Sequence, residues 1–273
     1  MVNIQRYMPG KTALKVLSDN GLYFRRLDCQ SADPTEGDRE FYSSFEISIK
    51  EALNSQLNNP TDHLTDDECA EISLNSMEDE KKRKFIQCWF FHNETSPFMW
   101  KEFALYNENK DCALFVADRF ALSDYLSKTL PIGCEFNTVE YVEDKHLERN
   151  TDFIKAYRFM RENEIRILID IGPLTLFNWK ILQKTFSNPE ISFSENLGEN
   201  LINNGVADEN LFIDVDEKGF ILKAPLSEII TNAFIPNDAS IEFENEFNEL
   251  LSLKNYRFTC TRIDPENIVN ISA

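Results

Sequence analysis

The stretch FIQCWFF, Phe85–Phe91, is a nearly continuous apolar run that is rich in aromatic residues. A run this short and this apolar is typical of a strand that is covered on both faces. A second run of the same kind, CALFVA, follows at Cys112–Ala117. We therefore expect both segments to be buried strands of a sheet, with the first at its centre.

The segments around these two runs show strand and helix patterns in a mixed order. Further strands are predicted at Ile4–Met8, Leu22–Leu27, Phe136–Val142, Glu164–Ile171, Ile229–Ile235 and Tyr256–Ile263. Helices are predicted at Thr12–Asp19, Asp38–Leu57, Asp66–Lys84, Pro97–Tyr106, Asp118–Lys128, Asp152–Arg161 and Asp238–Lys254. The order favours the α+β class, with a mixed, mainly antiparallel sheet core and peripheral helices. No internal repeat or linker divides the chain, so we expect one large domain over residues 1–273.

Composition limits the classes of partner. The chain has 273 residues, with 28 Lys and Arg against 47 Asp and Glu, which gives a net charge of −19. This charge opposes non-specific binding to nucleic acid and docking on anionic membranes. A protein partner or a small phosphorylated ligand fits better, because Arg6, Arg25 and Arg26 form a local basic group in an acidic chain.

Several common signals are missing from the sequence. The eight glycines form no GxGxxG or GxxxxGK[ST] motif, and the six cysteines have no zinc-site spacing. The N-terminus has no apolar signal-peptide core, and no apolar run is long enough to span a membrane. We expect a cytoplasmic protein without a disulfide framework.

The best candidate for chemistry is the segment Glu162-Asn163-Glu164-Ile165-Arg166. On a strand, Glu162, Glu164 and Arg166 would share one face, while the alternate isoleucines would face the core. Two close carboxylates raise the pKa of one of them, which suits acid–base catalysis. The alternative is a salt-bridge ladder on a solvated strand face.

Basic and aromatic residues could hold a cofactor. Arginine binds phosphate through two parallel hydrogen bonds, so Arg6 and either Arg25 or Arg26 could hold a pyrophosphate. Trp100 could stack on a base or a nicotinamide ring. The alternatives are ion pairs with local acids for the arginines and a core position for Trp100.

Two further groups complete the candidates. Asp33 and Glu36, in a turn made by Pro34 and Gly37, could bind a divalent cation, with a loop and helix-start role as the alternative. Among the three histidines, His92 is the one to test, because it follows the aromatic strand directly.

Four blocks of the chain resemble an uncharacterised bacterial family, domain of unknown function 2971. They are QRY at Gln5–Tyr7, LYFRRLD with DPTEG at 22–37, MWKEFA at Met99–Ala104, and RENEIR at Arg161–Arg166. The family has no settled activity, and its members often occur in mobile or defence-associated neighbourhoods. Lys101-Glu102-Phe103 stands where a Ser-His-Tyr-like stretch is common in the family, so a role for those residues does not transfer.

The order of elements also resembles the layout of ADP-ribosyltransferase folds, which begin with a strand carrying a basic residue and later present a Glu on a strand. The resemblance implies that Arg6 and Tyr7 hold NAD, Trp100 stacks, and Glu164 stabilises the reacting ribose. The first hypothesis is therefore a NAD- or nucleotide-using enzyme, a toxin or phage-defence effector that performs ADP-ribosyl transfer or N-glycosidic cleavage. The alternatives are a non-catalytic interaction or sensor module, and a metal-dependent hydrolase built on Asp33, Glu36, Glu162 and Glu164.

Overall fold

A computed structural model describes residues 2–29, 84–130, 134–143, 151–170, 212–216 and 219–271 of the chain. The predicted helices Asp38–Leu57 and Asp66–Lys84 lie outside these ranges, as do Asp33 and Glu36, with the exception of Lys84, which begins a strand and does not end a helix.

The described strands and helices follow the predicted mixed order. The strands are β1 (Asn3–Pro9), β2 (Gly21–Arg26), β3 (Lys84–Phe90), β4 (Cys112–Asp118), β5 (Cys134–Thr138), β6 (Glu140–Val142), β7 (Ile154–Ala156), β8 (Glu164–Asp170), β9 (Phe212–Asp216), β10 (Gly219–Lys223), β11 (Ile230–Pro236) and β12 (Cys260–Ile263). The helices are α1 (Gly10–Asp19), α2 (Pro97–Glu102), α3 (Arg119–Thr129), α4 (Leu226–Ile229) and α5 (Ile241–Leu253), with 3-10 helices at Leu27–Cys29, Thr151–Phe153 and Tyr157–Glu162.

Ten of these strands join one sheet, and only β11 and β12 pair in parallel within it. The short strands β6 and β7 form a separate parallel pair. The prediction of an α+β fold with a mixed, mainly antiparallel sheet is therefore confirmed.

The aromatic strand β3 is the point where the sheet branches. One edge of β3 pairs with β8 along its whole length, from Lys84 opposite Asp170 to Phe90 opposite Glu164. Its other edge is shared, because β1 pairs there at Phe90 and β2 pairs there at Phe85 and Ile86. The expectation of a central buried strand is confirmed, and the sheet divides into two arms beside it.

Polar side chains fill the gap where β1 and β2 separate. The Tyr23 carbonyl oxygen accepts hydrogen bonds from Arg6 Nη2 and from Gln87 Nε2, each at 3.1 Å. Trp89 Nε1 in turn donates to Gln87 Oε1 at 2.9 Å. A buried carbonyl needs a donor, so these side chains supply the bonds that a continuous ladder would have made.

Both faces of the sheet are covered. The larger core lies on one face, where side chains from β1, β3, β4 and β8 pack against α1, α3 and α5. The opposite face carries two smaller cores, one around Tyr7, Phe90 and Trp100 beneath α2 and the other around Ile86, Phe153 and Leu168. The candidate residues of β8 lie on this second face.

Three predicted elements are wrong in detail. The predicted strand Phe136–Val142 is two strands, because β5 pairs with β8 whereas β6 pairs with β7. The predicted helix Asp152–Arg161 is a short strand between two 3-10 helices. The last strand contains only Cys260–Ile263 of the predicted Tyr256–Ile263.

Candidate functional site

Glu162, Glu164 and Arg166 meet in a buried cluster of ion pairs. The ammonium group of Lys155 lies between the two carboxylates, with Nζ 2.8 Å from Glu162 Oε2 and 2.9 Å from Glu164 Oε2. Arg166 Nε donates to the other oxygen of Glu164, Oε1, at 2.8 Å. The three predicted catalytic residues are thus brought together, with Lys155 as a link that the sequence prediction did not include.

Two more charged residues complete what we call the ion cluster: Lys84, Asp152, Lys155, Glu162, Glu164 and Arg166. Arg166 Nη1 donates to the backbone carbonyl of Asp152, and Lys84 Nζ is paired with the Asp152 carboxylate. Three cations therefore face three anions, and the formal charges cancel. Burial of charge is tolerated only with this kind of pairing, since unpaired ions are strongly destabilising in a protein interior.

The environment keeps Glu164 ionised. Burial alone would raise the pKa of its carboxyl, but the charges of Arg166 and Lys155, with hydrogen bonds from Arg166 and Cys88, outweigh burial and hold that pKa well below its usual range. The raised pKa expected from a carboxylate pair is not found at Glu164, because Arg166 and Lys155 both pair with its carboxylate. Glu164 is therefore suited to stabilising positive charge and not to donating a proton at neutral pH.

The geometry of this segment differs from the prediction in one respect. Glu162 ends a 3-10 helix, and Asn163 adopts a left-handed conformation with φ of 46° before β8 begins at Glu164. The three residues thus do not share one strand face, and Glu162 joins the cluster through Lys155. Of the solvated salt-bridge ladder offered as the alternative, the ion pairing is present but the solvated face is wrong, because Glu164 and Arg166 are 1% and 0% exposed.

A groove opens beside the cluster, lined by the loop that follows β3. Its volume is about 440 Å³, and its lining residues are His92, Asn93, Glu94, Thr95, Ser96, Pro97 and Ile268. We call residues 92–97 the groove loop. The His92 ring lies 3.1 Å from the backbone oxygen of Glu162, which links this loop directly to the segment that carries the ion cluster.

Buried side chains of β1 hold the groove loop through hydrogen bonds to its backbone. Gln5 Nε2 donates to the carbonyl oxygens of His92 and Glu94, at 2.8 and 2.9 Å. Tyr7 Oη donates to Gln5 Oε1 at 2.6 Å and accepts from the Ser96 N–H at 3.0 Å. A loop with this many fixed contacts presents a preformed surface, which is what small-molecule sites usually have.

The chain near the C-terminal end of the described residues holds the groove loop from the side. Thr95 N donates to the Val269 carbonyl at 2.9 Å, and Ile271 N donates to the Asn93 carbonyl at 2.9 Å. Backbone hydrogen bonds therefore fix the groove loop relative to the segment that carries Ile268, the remaining lining residue of the groove.

Replacing Tyr7 by phenylalanine is expected to destabilise the fold by about 1–3 kcal/mol, because the change leaves a backbone N–H and a buried amide oxygen without their partner. Urea unfolding of the wild type and of Tyr7→Phe measures the loss. Tyr125→Phe provides a matched control, since its hydroxyl donates to one backbone carbonyl, that of Lys223, at a partly exposed site. An equal or larger loss in the control would contradict the role given to Tyr7.

The predicted cofactor residues do not all reach the groove. None of them lines it, although Tyr7 contacts the groove loop at the Ser96 N–H, and Trp100 packs edge-on against Tyr7 with ring centroids 5.2 Å apart. Trp100 is fully buried, so it occupies the core position named as its alternative, although its indole Nε1 has no hydrogen-bond partner. Arg6 lies at the branch of the sheet, where burial lowers its pKa to about 10.

The other two arginines lie on β2. Arg25 pairs with Ile86 and Arg26 with Phe85, so as consecutive strand residues they point to opposite faces. Arg25 Nε is buried without a hydrogen-bond partner. The structure thus brings Tyr7, Glu162, Glu164 and Arg166 to one region, and it does not gather Arg6, Arg25 and Arg26 into one phosphate site.

The described residues offer little to a metal ion. No three His, Cys, Asp or Glu side chains of the described ranges come together in a way that could hold one. Glu162 and Glu164, two of the ligands named for a hydrolase, are both paired with Lys155. In the same ranges no helix is long and apolar enough to cross a membrane.

No family model, no curated protein and no solved structure matches this chain. The resemblances drawn from the sequence blocks therefore stay predictions, and function must be argued from the site itself.

Sequence reasoning missed four residues that shape the site: Gln5, Lys84, Asp152 and Lys155. A signal for Lys155 was present, because two acids predicted to lie close together favour a neighbouring cation. Gln5 lies two residues before Tyr7 and thus on the same face of β1, which also could have been inferred from strand periodicity.

Proposed function

We propose that this chain is an enzyme that binds NAD or a related nucleotide in the groove and cleaves its N-glycosidic bond, transferring the ADP-ribosyl group to an acceptor. One observation supports this above the others: Tyr7 and the Glu162 backbone contact the groove loop, and Glu164 begins β8 beside the end of β3, from which that loop continues. Tyr7 bonds the loop at Ser96, the Glu162 backbone contacts His92, and Glu164 lies opposite Phe90 on β3. The volume of about 440 Å³ falls within the range of small-molecule sites.

The electrostatics of the ion cluster suit this chemistry. Cleavage of an N-glycosidic bond develops positive charge on the ribose, and an ionised carboxylate stabilises that charge without any change in protonation. The ammonium of Lys155, between Glu162 and Glu164, marks a position where a positive charge is already stabilised. Lys155 has the most exposed side chain of the cluster, at 10%.

A thermal-shift titration with NAD and ADP-ribose tests this proposal. A ligand that binds only the folded state at 100 times its Kd stabilises it by about 2.7 kcal/mol, which gives a rise of several degrees in Tm. The variant Ile268→Trp is the matched comparison, since Ile268 is 66% exposed on the groove rim and a larger side chain would fill the groove. We expect the shift in the wild type and its loss in this variant.

A non-catalytic interaction module is the second candidate, because an observation favours it independently. Every charge of the ion cluster is paired internally, and exposed aromatic residues stand immediately before and after the groove loop, Phe91 at 38% and Phe98 at 40% exposure. Aromatic side chains of this kind are common in protein–protein contacts. No thermal shift with NAD, ADP-ribose or nucleotides would favour this second function over the first.

A further inference from the structure

His92 is fixed between the groove and the ion cluster. Its backbone oxygen accepts from Gln5 Nε2 at 2.8 Å, and its ring nitrogen Nε2 lies 3.1 Å from the Glu162 carbonyl oxygen. His92 is also one of the residues that line the groove. His92 is thus the titratable side chain that touches both features.

The contact with Glu162 determines where the ring proton sits. A carbonyl oxygen only accepts hydrogen bonds, so Nε2 must carry the hydrogen and donate it. In a neutral ring the other nitrogen, Nδ1, then has a free lone pair and can accept a proton. Within the described ranges no hydrogen bond occupies Nδ1.

The surroundings keep the ring neutral near pH 7. Burial lowers the pKa of His92 below its ordinary 6.5, and the hydrogen bond to the Glu162 carbonyl opposes this only in part. Two acids belong to these surroundings: Glu94 lines the same groove, and Glu162, whose carbonyl the ring contacts, has its carboxylate paired with Lys155 at 2.8 Å. A neutral imidazole with one fixed N–H is the form required of a general base.

We propose that His92 is the general base of the groove, and this inference rests on the function proposed above. As the hydroxyl oxygen of an acceptor or of water bonds to the ribose C1′ of NAD, the C1′–N bond breaks. Its electron pair leaves with nicotinamide, which becomes neutral, and the hydroxyl proton passes to His92 Nδ1. The transition-state charge on the ribose is stabilised by Glu164, so the base and the stabilising carboxylate are separate residues.

His92 could instead act only as a structural donor that ties the groove loop to Glu162. The variant His92→Gln separates the two roles, because a glutamine amide is able to donate to the Glu162 carbonyl but cannot take a proton. His92→Ala with added imidazole is the second variant, since an external base can replace a missing general base and cannot replace a structural tie.

The experiment measures nicotinamide release from NAD by the full chain, together with the thermal shift given by NAD. We expect turnover in His92→Gln to fall about 100-fold or more with the NAD-induced shift retained, and imidazole to restore part of the turnover of His92→Ala. Wild-type turnover should fall as pH drops through the lowered pKa of His92, below 6.5, since the protonated ring cannot act as a base.

The outcomes distinguish this inference from the function on which it rests. Undiminished turnover in His92→Gln, or no rescue of His92→Ala by imidazole, would overturn the role of His92 and leave NAD cleavage intact. Absence of both NAD binding and NAD turnover in the wild type would overturn the proposed function and the inference together.

Discussion

Replacing Arg166 by methionine is expected to lower the free energy of unfolding by about 3–5 kcal/mol, the usual loss when one partner of a buried ion pair is removed. Arg166 is 0% exposed, and its Nε holds Glu164 Oε1 at 2.8 Å. Without it, the Asp152 carbonyl loses a donor, and the ion cluster carries a net charge of −1 in the interior. The total free energy of unfolding of a native protein is only about 5–15 kcal/mol, so this loss is large.

The measurement is urea unfolding of the wild type and the variant, with near-UV circular dichroism as the signal that reports unfolding. Lys128→Met is the control, because Lys128 forms an exposed i,i+4 pair with Asp124, with side chains 73% and 61% exposed. An exposed i,i+4 ion pair on a helix stabilises the fold by about 0.3–0.5 kcal/mol. A loss in Arg166→Met as small as that in the control would show that the ion cluster is not buried in solution.

A double-mutant cycle shows whether the cluster is needed for stability at all. Replacing both Glu164 and Arg166 by methionine removes an anion and a cation together, so the four remaining charges still cancel. Buried ion pairs can often be replaced by apolar residues at little cost or with a gain. We expect the double variant to be more stable than Arg166→Met alone, because no charge is left in excess. Stability equal to that of the wild type would show that the charges of Glu164 and Arg166 are not needed for folding.

The strands were predictable because their signals are local. Phe85–Phe91 and Cys112–Ala117 are short apolar runs, and their positions in the sheet follow from the need to cover both faces. The branch at β3 was not predictable, since the sharing of one strand edge by β1 and β2 depends on which distant segments pair. The Tyr23 carbonyl shows this, because its donors come from Arg6 and Gln87, 17 and 64 residues away in sequence.

The segment Asp152–Arg161 shows why the candidate site was only partly predictable. Its apolar spacing indicated a helix, but Lys155 and Asp152 are held by partners on β3 and β8, and the backbone follows those contacts. Tertiary contacts override weak local propensity in this way. The closeness of Glu164 to Arg166 followed from their spacing on one strand, whereas the place of Glu162 and the lowered pKa of Glu164 depend on Lys155 and Arg166 in three dimensions.

The largest expected effect on activity comes from Glu164→Gln. This change keeps the shape of the side chain and removes the negative charge that stabilises the ribose as positive charge develops. Loss of one preorganised electrostatic group reduces turnover about 100- to 1,000-fold, so nicotinamide release from NAD should fall by that amount. The measurement is release under saturating NAD, with the thermal shift by NAD recorded on the same samples to show that binding persists.

Stability must be separated from catalysis in this comparison, because Glu164→Gln also leaves the ion cluster with one excess positive charge. Glu244→Gln is the matched control: it is the same chemical change in a carboxylate that holds an arginine, with Arg262 Nη2 2.8 Å from Glu244 Oε2, and neither residue lines the groove. We expect Glu244→Gln to retain wild-type turnover. If a folded Glu164→Gln releases nicotinamide as fast as the wild type, Glu164 is a structural member of the ion cluster, and its charge has no part in the reaction.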